Sequence, residues 1–231
     1  MPDKQKKNIC FFILPGFNPD SNSVGGIKQA LESLGYPAFS ANFWGNNEKK
    51  DFSKLTIEEC RIGIKEEIEK LSKNYEYIIG IGISLGGALL LDYAKNEDGL
   101  YCVVSVGTPF KLRYELSIKF GLIILPLLRL FYKLTNRKSK WVASGKVVRY
   151  LTRDFIQDVD RVRTRVLLLH STFDFVAERE VVDEFLNMMS STDKQVVYIK
   201  DTDHVINYDS EIILPAMFDF LSLPGDNLDV I

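Results

Sequence analysis

The sequence predicts an α/β protein: a mostly parallel sheet of about six strands, helices on both faces and one helical insertion. Short β-branched apolar runs alternate with longer helical patterns along the 231 residues. The strand candidates are near-continuously apolar, as strands buried on both faces are, and that indicates parallel pairing. The rhythm breaks once, between Val106 and Arg165, over a length too great for an ordinary crossover. Residues of about 110–163 are therefore read as an inserted, mostly helical cap within one domain spanning 1–231.

The elements follow in order. A polar lead-in precedes the first strand, Ile9–Leu14. Residues 22–34 have a helical pattern, stopped by Gly35-Tyr36-Pro37, and Pro37–Phe43 reads as an edge-like strand. "TIEECRIGIKEEIEKL" opens with a capping box, Thr56 to Glu59, and sets Ile57, Cys60, Ile64, Ile68 and Leu71 on one helical stripe. "YEYIIGIG" is a strand, "LGGALLLDYAKN" a helix and "LYCVVSV" a strand. Beyond the insertion come "RVLLLH" (strand), residues 178–189 (helix), "KQVVYIK" (strand) and a last helix near residues 210–222.

Composition narrows the class. Hydrophobic residues are 46% and charged residues 26%, a globular balance, and nothing approaches the ~18 consecutive apolar residues of a membrane span. Ile9–Leu14 is too short for the apolar core of a signal peptide. Three cysteines, Cys10, Cys60 and Cys102, make an odd count without metal-site spacing, which suggests a reducing, cytoplasmic setting. The formal charge of −2 hides an asymmetry: 14 Lys/Arg against 4 Asp/Glu in 111–165, and 15 against 27 elsewhere.

Chemistry concentrates at "GISLGG", residues 82–87. Glycine weakens strand and helix interiors, so glycines crowded around one serine need a cause. Gly82-Ile83-Ser84-Leu85-Gly86 fits the nucleophile-elbow pattern, in which a sharp strand-to-helix turn lifts the serine hydroxyl above the sheet. The positive helix N-terminus beside Ser84 would favour an oxyanion. The same residues also suit a plain junction with Ser84 as N-cap, so the pattern alone does not decide.

A serine hydroxyl needs a base, and the two histidines are the candidates. His170 ends the strand "VLLLH", where it is expected to pack beneath the following loop. His204 lies in the polar loop "KDTDHVINYDS" after the last strand, free to swing over Ser84, and is favoured. The base needs an acid to fix its tautomer. Asp174, just beyond a strand end, is favoured over Asp201 and Asp203, because neighbours on a tight loop point away from each other.

The order Ser84, Asp174, His204, each at the end of a successive strand, together with "GISLGG", "HSTFDFVAE" and "DTDHVINYD", resembles the α/β-hydrolases, specifically small enzymes of the carboxylesterase and monoacylglycerol-lipase type. The resemblance covers nearly the whole chain apart from the polar termini. It implies the α/β-hydrolase fold and hydrolysis of aliphatic or monoglyceride-like acyl esters through an acyl-enzyme, without metal or organic cofactor. An acyl thioesterase, and a non-catalytic hydrolase-fold binding protein, are the alternatives. It also implies an oxyanion hole from the backbone N–H of Leu85 and of Phe17, in the first-strand loop "LPGFNPDS". The usual histidine-glycine of that loop is here Pro15-Gly16.

In related hydrolases the insertion covers the active site. Leu122, Leu125, Leu128 and Phe131, with Ile123, Leu127 and Tyr132, are candidates to line an acyl tunnel, and plain cover of the sheet is the alternative for any one of them. Lys133, Arg137, Lys138 and Lys140 suit an anionic lipid surface or head group, and equally a solvated face. The surface reading adds a peripheral membrane location to the cytoplasmic one. No nucleic-acid motif is present.

Overall fold

A computed structural model describes residues 8–16, 24–41, 55–110, 147, 150, 157–174, 179–200 and 210–223. The elements are β1 (Ile9–Leu14), α1 (Gly25–Ser33), β2 (Ala38–Ser40), α2 (Ile57–Leu71), β3 (Tyr77–Ile83), α3 (Leu85–Asn96), β4 (Cys102–Val106), a 3-10 turn (Val159–Arg161), β5 (Arg165–Ser171), α4 (Glu180–Met188), β6 (Lys194–Ile199) and α5 (Ser210–Leu221). The strands form one sheet in the order β2-β1-β3-β4-β5-β6, and every pairing is parallel.

The pleat divides the strand side chains between two cores. Phe12, Leu14, Ile78, Val103, Val166 and Leu168 join the buried residues of α2, α3 and α4. Phe11, Ile13, Ile81, Val104, Leu167 and Leu169 face Ile27 and Leu31 of α1 and Ile213, Leu214, Met217 and Phe218 of α5. Helices on both faces explain why the strand sequences alternate so little.

The capping box forms: Glu59 N–H donates to Thr56 Oγ1 at 3.2 Å and Thr56 N–H to Glu59 Oε2 at 2.9 Å. Cys60, Ile64, Ile68 and Leu71 are buried on the expected stripe, and Ile57 packs at its edge. The second strand is shorter than expected, Ala38–Ser40, because it pairs on one side only and Phe39 is 37% exposed. Of the cap interval, the described residues include Phe110, Val147, Tyr150 and 157–163; the tunnel and basic-cluster residues lie outside the described residues. Among the described residues no helix is long and apolar enough to cross a membrane.

The strand order places the site. From β1 the chain runs outward to β2, then returns past β1 to β3 and proceeds the other way. The switch lies where Leu14 pairs with Gly82, at the carboxyl ends of β1 and β3. Ligands of open α/β sheets bind in the crevice at such a point.

Candidate active site

Ser84 sits between β3 and α3 with φ 50° and ψ −117°. A side-chain-bearing residue rarely adopts that backbone, which costs about 1–3 kcal/mol and persists only where its surroundings over-determine it. They do so here. Ser84 N–H donates to Val106 O at 2.7 Å. Ser84 O accepts from Gly87 N–H at 3.0 Å, Ala88 N–H at 3.3 Å and Thr108 Oγ1 at 3.2 Å.

The glycines let the segments meet. A Cβ on Gly82 would lie 2.5 Å from Gly87 N, and one on Gly86 would lie 2.7 Å from Pro15 O, both collisions with backbone that no rotamer change relieves. A Cβ on Gly87 would strike the hydroxyls of Thr108 and Ser105, which hydrogen-bond each other. Gly16 lies so close that its Cβ would stand 3.2 Å from that of Ser84. The loop expected to supply an oxyanion donor therefore passes directly beside the serine at Gly16, and Phe17, the expected donor, lies outside the described residues. Leu85 opens α3, in the first turn, where helix N–H groups lack an intrahelical acceptor.

Thr108 and Ser105 were not singled out by sequence reasoning. Both are 1% exposed, and together they brace the elbow from β4 and its following turn. The available signal was the pair of hydroxyls in "SVGTPF", polar groups just where an apolar strand ends.

Asp174 is 2% exposed, on the turn that follows β5. Thr172 N–H donates to Ile199 O at 3.0 Å, tying this turn to the end of β6, and Phe173 N–H donates to Ser171 Oγ at 3.1 Å. His170, on β5 itself, is 1% exposed, with Nε2 at 3.8 Å from Asp174 Oδ2. His204, Asp201 and Asp203 lie outside the described residues. Among the described residues no group of three or more His, Cys, Asp or Glu is arranged to hold a metal ion.

This architecture has known counterparts. A structure of a metagenome-derived lipolytic enzyme superposes with a TM-score of 0.72 at 14% identity, covering 94% of this chain and 93% of that one. The chain has the α/β-hydrolase fold. In sequence it is 22% identical over 227 residues to a carboxylesterase of Bacillus subtilis strain 168, covering 90% of each chain. It is 20% identical over 231 residues to a thermostable monoacylglycerol lipase of Bacillus sp. strain H-257, covering 93% of this chain and 90% of the relative. No protein-family model matches it.

Within this fold, Ser84 lies at the topological switch point, with Gly16 against it and the buried Asp174 at a strand end two positions along the sheet from β3. A strained serine at a helix start, close to a turn of the first strand, suits nucleophilic attack on an acyl carbon with backbone donors for the resulting oxyanion.

Proposed function

We propose that this α/β-hydrolase is a serine hydrolase of carboxylic acyl esters, acting through Ser84, Asp174 and His204 on aliphatic or monoglyceride-like substrates. The carrying observation is the backbone of Ser84, φ 50° and ψ −117°, locked by glycine contacts and by the Thr108 hydroxyl at the carboxyl end of β3. A serine that serves only as an N-cap needs no such backbone; the usual N-cap is extended. The carboxylesterase and lipase names of the sequence relatives support the same chemistry.

In this reading Ser84 Oγ attacks the ester carbonyl carbon while His204 takes its proton. Asp174 holds the imidazole and stabilises its charged form. The carbonyl oxygen becomes an oxyanion received by the N–H groups of Leu85 and Phe17. Collapse of the tetrahedral species breaks the ester C–O bond, and the departing alkoxide takes the proton from His204 and leaves as the alcohol. Water, deprotonated by His204, then attacks the acyl-enzyme and releases the acid. His204 follows the end of β6 by five residues, and β6 is tied to the Asp174 turn through Thr172 and Ile199, which supports pairing of base and acid.

Hydrolysis of p-nitrophenyl esters from acetate to palmitate, beside matching acyl thioesters, tests the reading. Turnover of esters that disappears in Ser84→Ala is expected, with fluorophosphonate labelling of Ser84 in the wild type. A folded protein that neither turns over any ester nor takes the label overturns the proposal; turnover confined to thioesters changes its substrate class.

A further inference from the structure

We propose that His170 is a positioning residue for the Asp174 carboxylate, a role that rests on the Ser84–Asp174–His204 reading. The two side chains are among the most enclosed polar groups of the described chain, 1% and 0% exposed, and they approach to 3.8 Å between Nε2 and Oδ2. That separation exceeds a direct hydrogen bond. It lies well within the range of charge–dipole and charge–charge attraction in a low-dielectric setting.

Each partner is fixed by its own element. His170 is held in the sheet, in register with Tyr198 of β6, and its side chain is on the face shared by Val166 and Leu168. Asp174 lies four residues on, at the end of a turn pinned to β6 and to Ser171. A buried carboxylate tolerates ionisation only where polar neighbours compensate for lost water. With a proton on Nε2, the imidazole directs the positive end of its N–H dipole at Oδ2 from beneath the turn. An apolar replacement would set hydrocarbon against that oxygen, disfavour the ionised form and let the carboxylate rotate away from the base. His170 is too deeply enclosed to touch a substrate, so its influence passes through Asp174.

The test is steady-state ester hydrolysis by His170→Asn, His170→Leu and His170→Gln, each also combined with Asp174→Asn, with thermal unfolding as the check on folding. His170→Asn withdraws the polar group, His170→Leu removes it at similar bulk, and His170→Gln returns an N–H at comparable reach. The expected result is a kcat about 10- to 100-fold lower for the Asn and Leu variants, as for a displaced catalytic group, with KM unchanged. His170→Gln is expected to recover most of that loss. In the Asp174→Asn background the further loss should vanish, because both substitutions disable the same group. A folded Asn or Leu variant with wild-type kcat, a loss expressed in KM, or losses that multiply with Asp174→Asn overturns the role. Failure of the underlying reading has a different signature: Asp174→Asn itself would leave kcat intact, or the wild type would not turn over esters.

Discussion

At Ser84 the backbone and the side chain have opposing requirements, and that conflict can be measured. The conformation with φ 50° and ψ −117° suits glycine, yet the proposed attack on an ester needs the hydroxyl. Ser84→Ala removes the hydroxyl and keeps the strain, whereas Ser84→Gly removes both. Denaturant unfolding of the two variants should find the glycine form more stable by about 1 kcal/mol, the strain released less the added unfolded-chain entropy. Neither should turn over esters. A glycine variant less stable than the alanine variant would mean that the backbone at Ser84 stores no strain. The serine and its flanking glycines were legible in the sequence because the elbow is a local pattern. Thr108 was not, since its hydroxyl reaches Ser84 O across a separation of 24 residues that only the β3–β4 pairing closes.

Among the elements, α3 carries an ionic cluster that the sequence also left hidden. Asp92, 0% exposed, receives Arg61 Nε at 2.8 Å and Arg61 Nη2 at 3.2 Å from α2, and Lys95 Nζ lies at 3.2 Å. The Tyr150 hydroxyl donates to Asp92 Oδ1 at 2.9 Å and accepts from Arg61 Nη2 at 2.9 Å. Lys95 Nζ also donates to Gln157 O at 3.1 Å. The helix after Ser84 is thereby fastened to α2, to Tyr150 and to Gln157. Arg61 is raised above its usual pKa chiefly by the Asp92 hydrogen bond, and burial pushes the Tyr150 phenol up to about 12. Asp92→Asn takes the buried counter-charge from Lys95 and from Arg61, which keeps Glu58 at 3.4 Å, and should cost about 3 kcal/mol. Tyr150→Phe loses the phenol's two hydrogen bonds, together worth about 2 kcal/mol. Urea unfolding of the two variants gives both values; equal, sub-kilocalorie losses would mean that the cluster contributes little. In sequence, Asp92 and Lys95 look like the polar side of an amphipathic helix. Their burial depends on partners up to 62 residues away.

Across the whole molecule, the fold was legible to a degree that follows from its physics. Parallel strands covered on both faces announce themselves as apolar runs, so all six strands were visible, while the ends of the edge strand β2 were not, because pairing on one side leaves little pattern to read. The same two-sided burial has a consequence at alkaline pH. Cys10 on β1 and Cys102 on β4, the strands either side of β3, are 0% exposed, and burial pushes each thiol up to about 12. Burial likewise pushes the Tyr93, Tyr150 and Tyr198 phenols up to about 12. In the unfolded chain the thiols ionise near ~8.5 and the phenols near ~10. Above those values the unfolded chain binds fewer protons than the folded one, so stability falls as pH rises. The contribution is fully present at neutral pH and is lost progressively up to about 12, where the folded groups ionise in turn. Between pH 8 and 10.5 the two thiols account for an expected loss of about 5 kcal/mol, and the phenols, which start to ionise higher and are less enclosed, add a smaller share. Urea midpoints over that interval would show it. Cys102→Ala should be less stable than the wild type at pH 8, because it opens a cavity, yet lose less between pH 8 and 10.5 because one buried thiol no longer titrates on unfolding. An unchanged alkaline slope in that variant would assign the loss to Cys10 and the tyrosines instead.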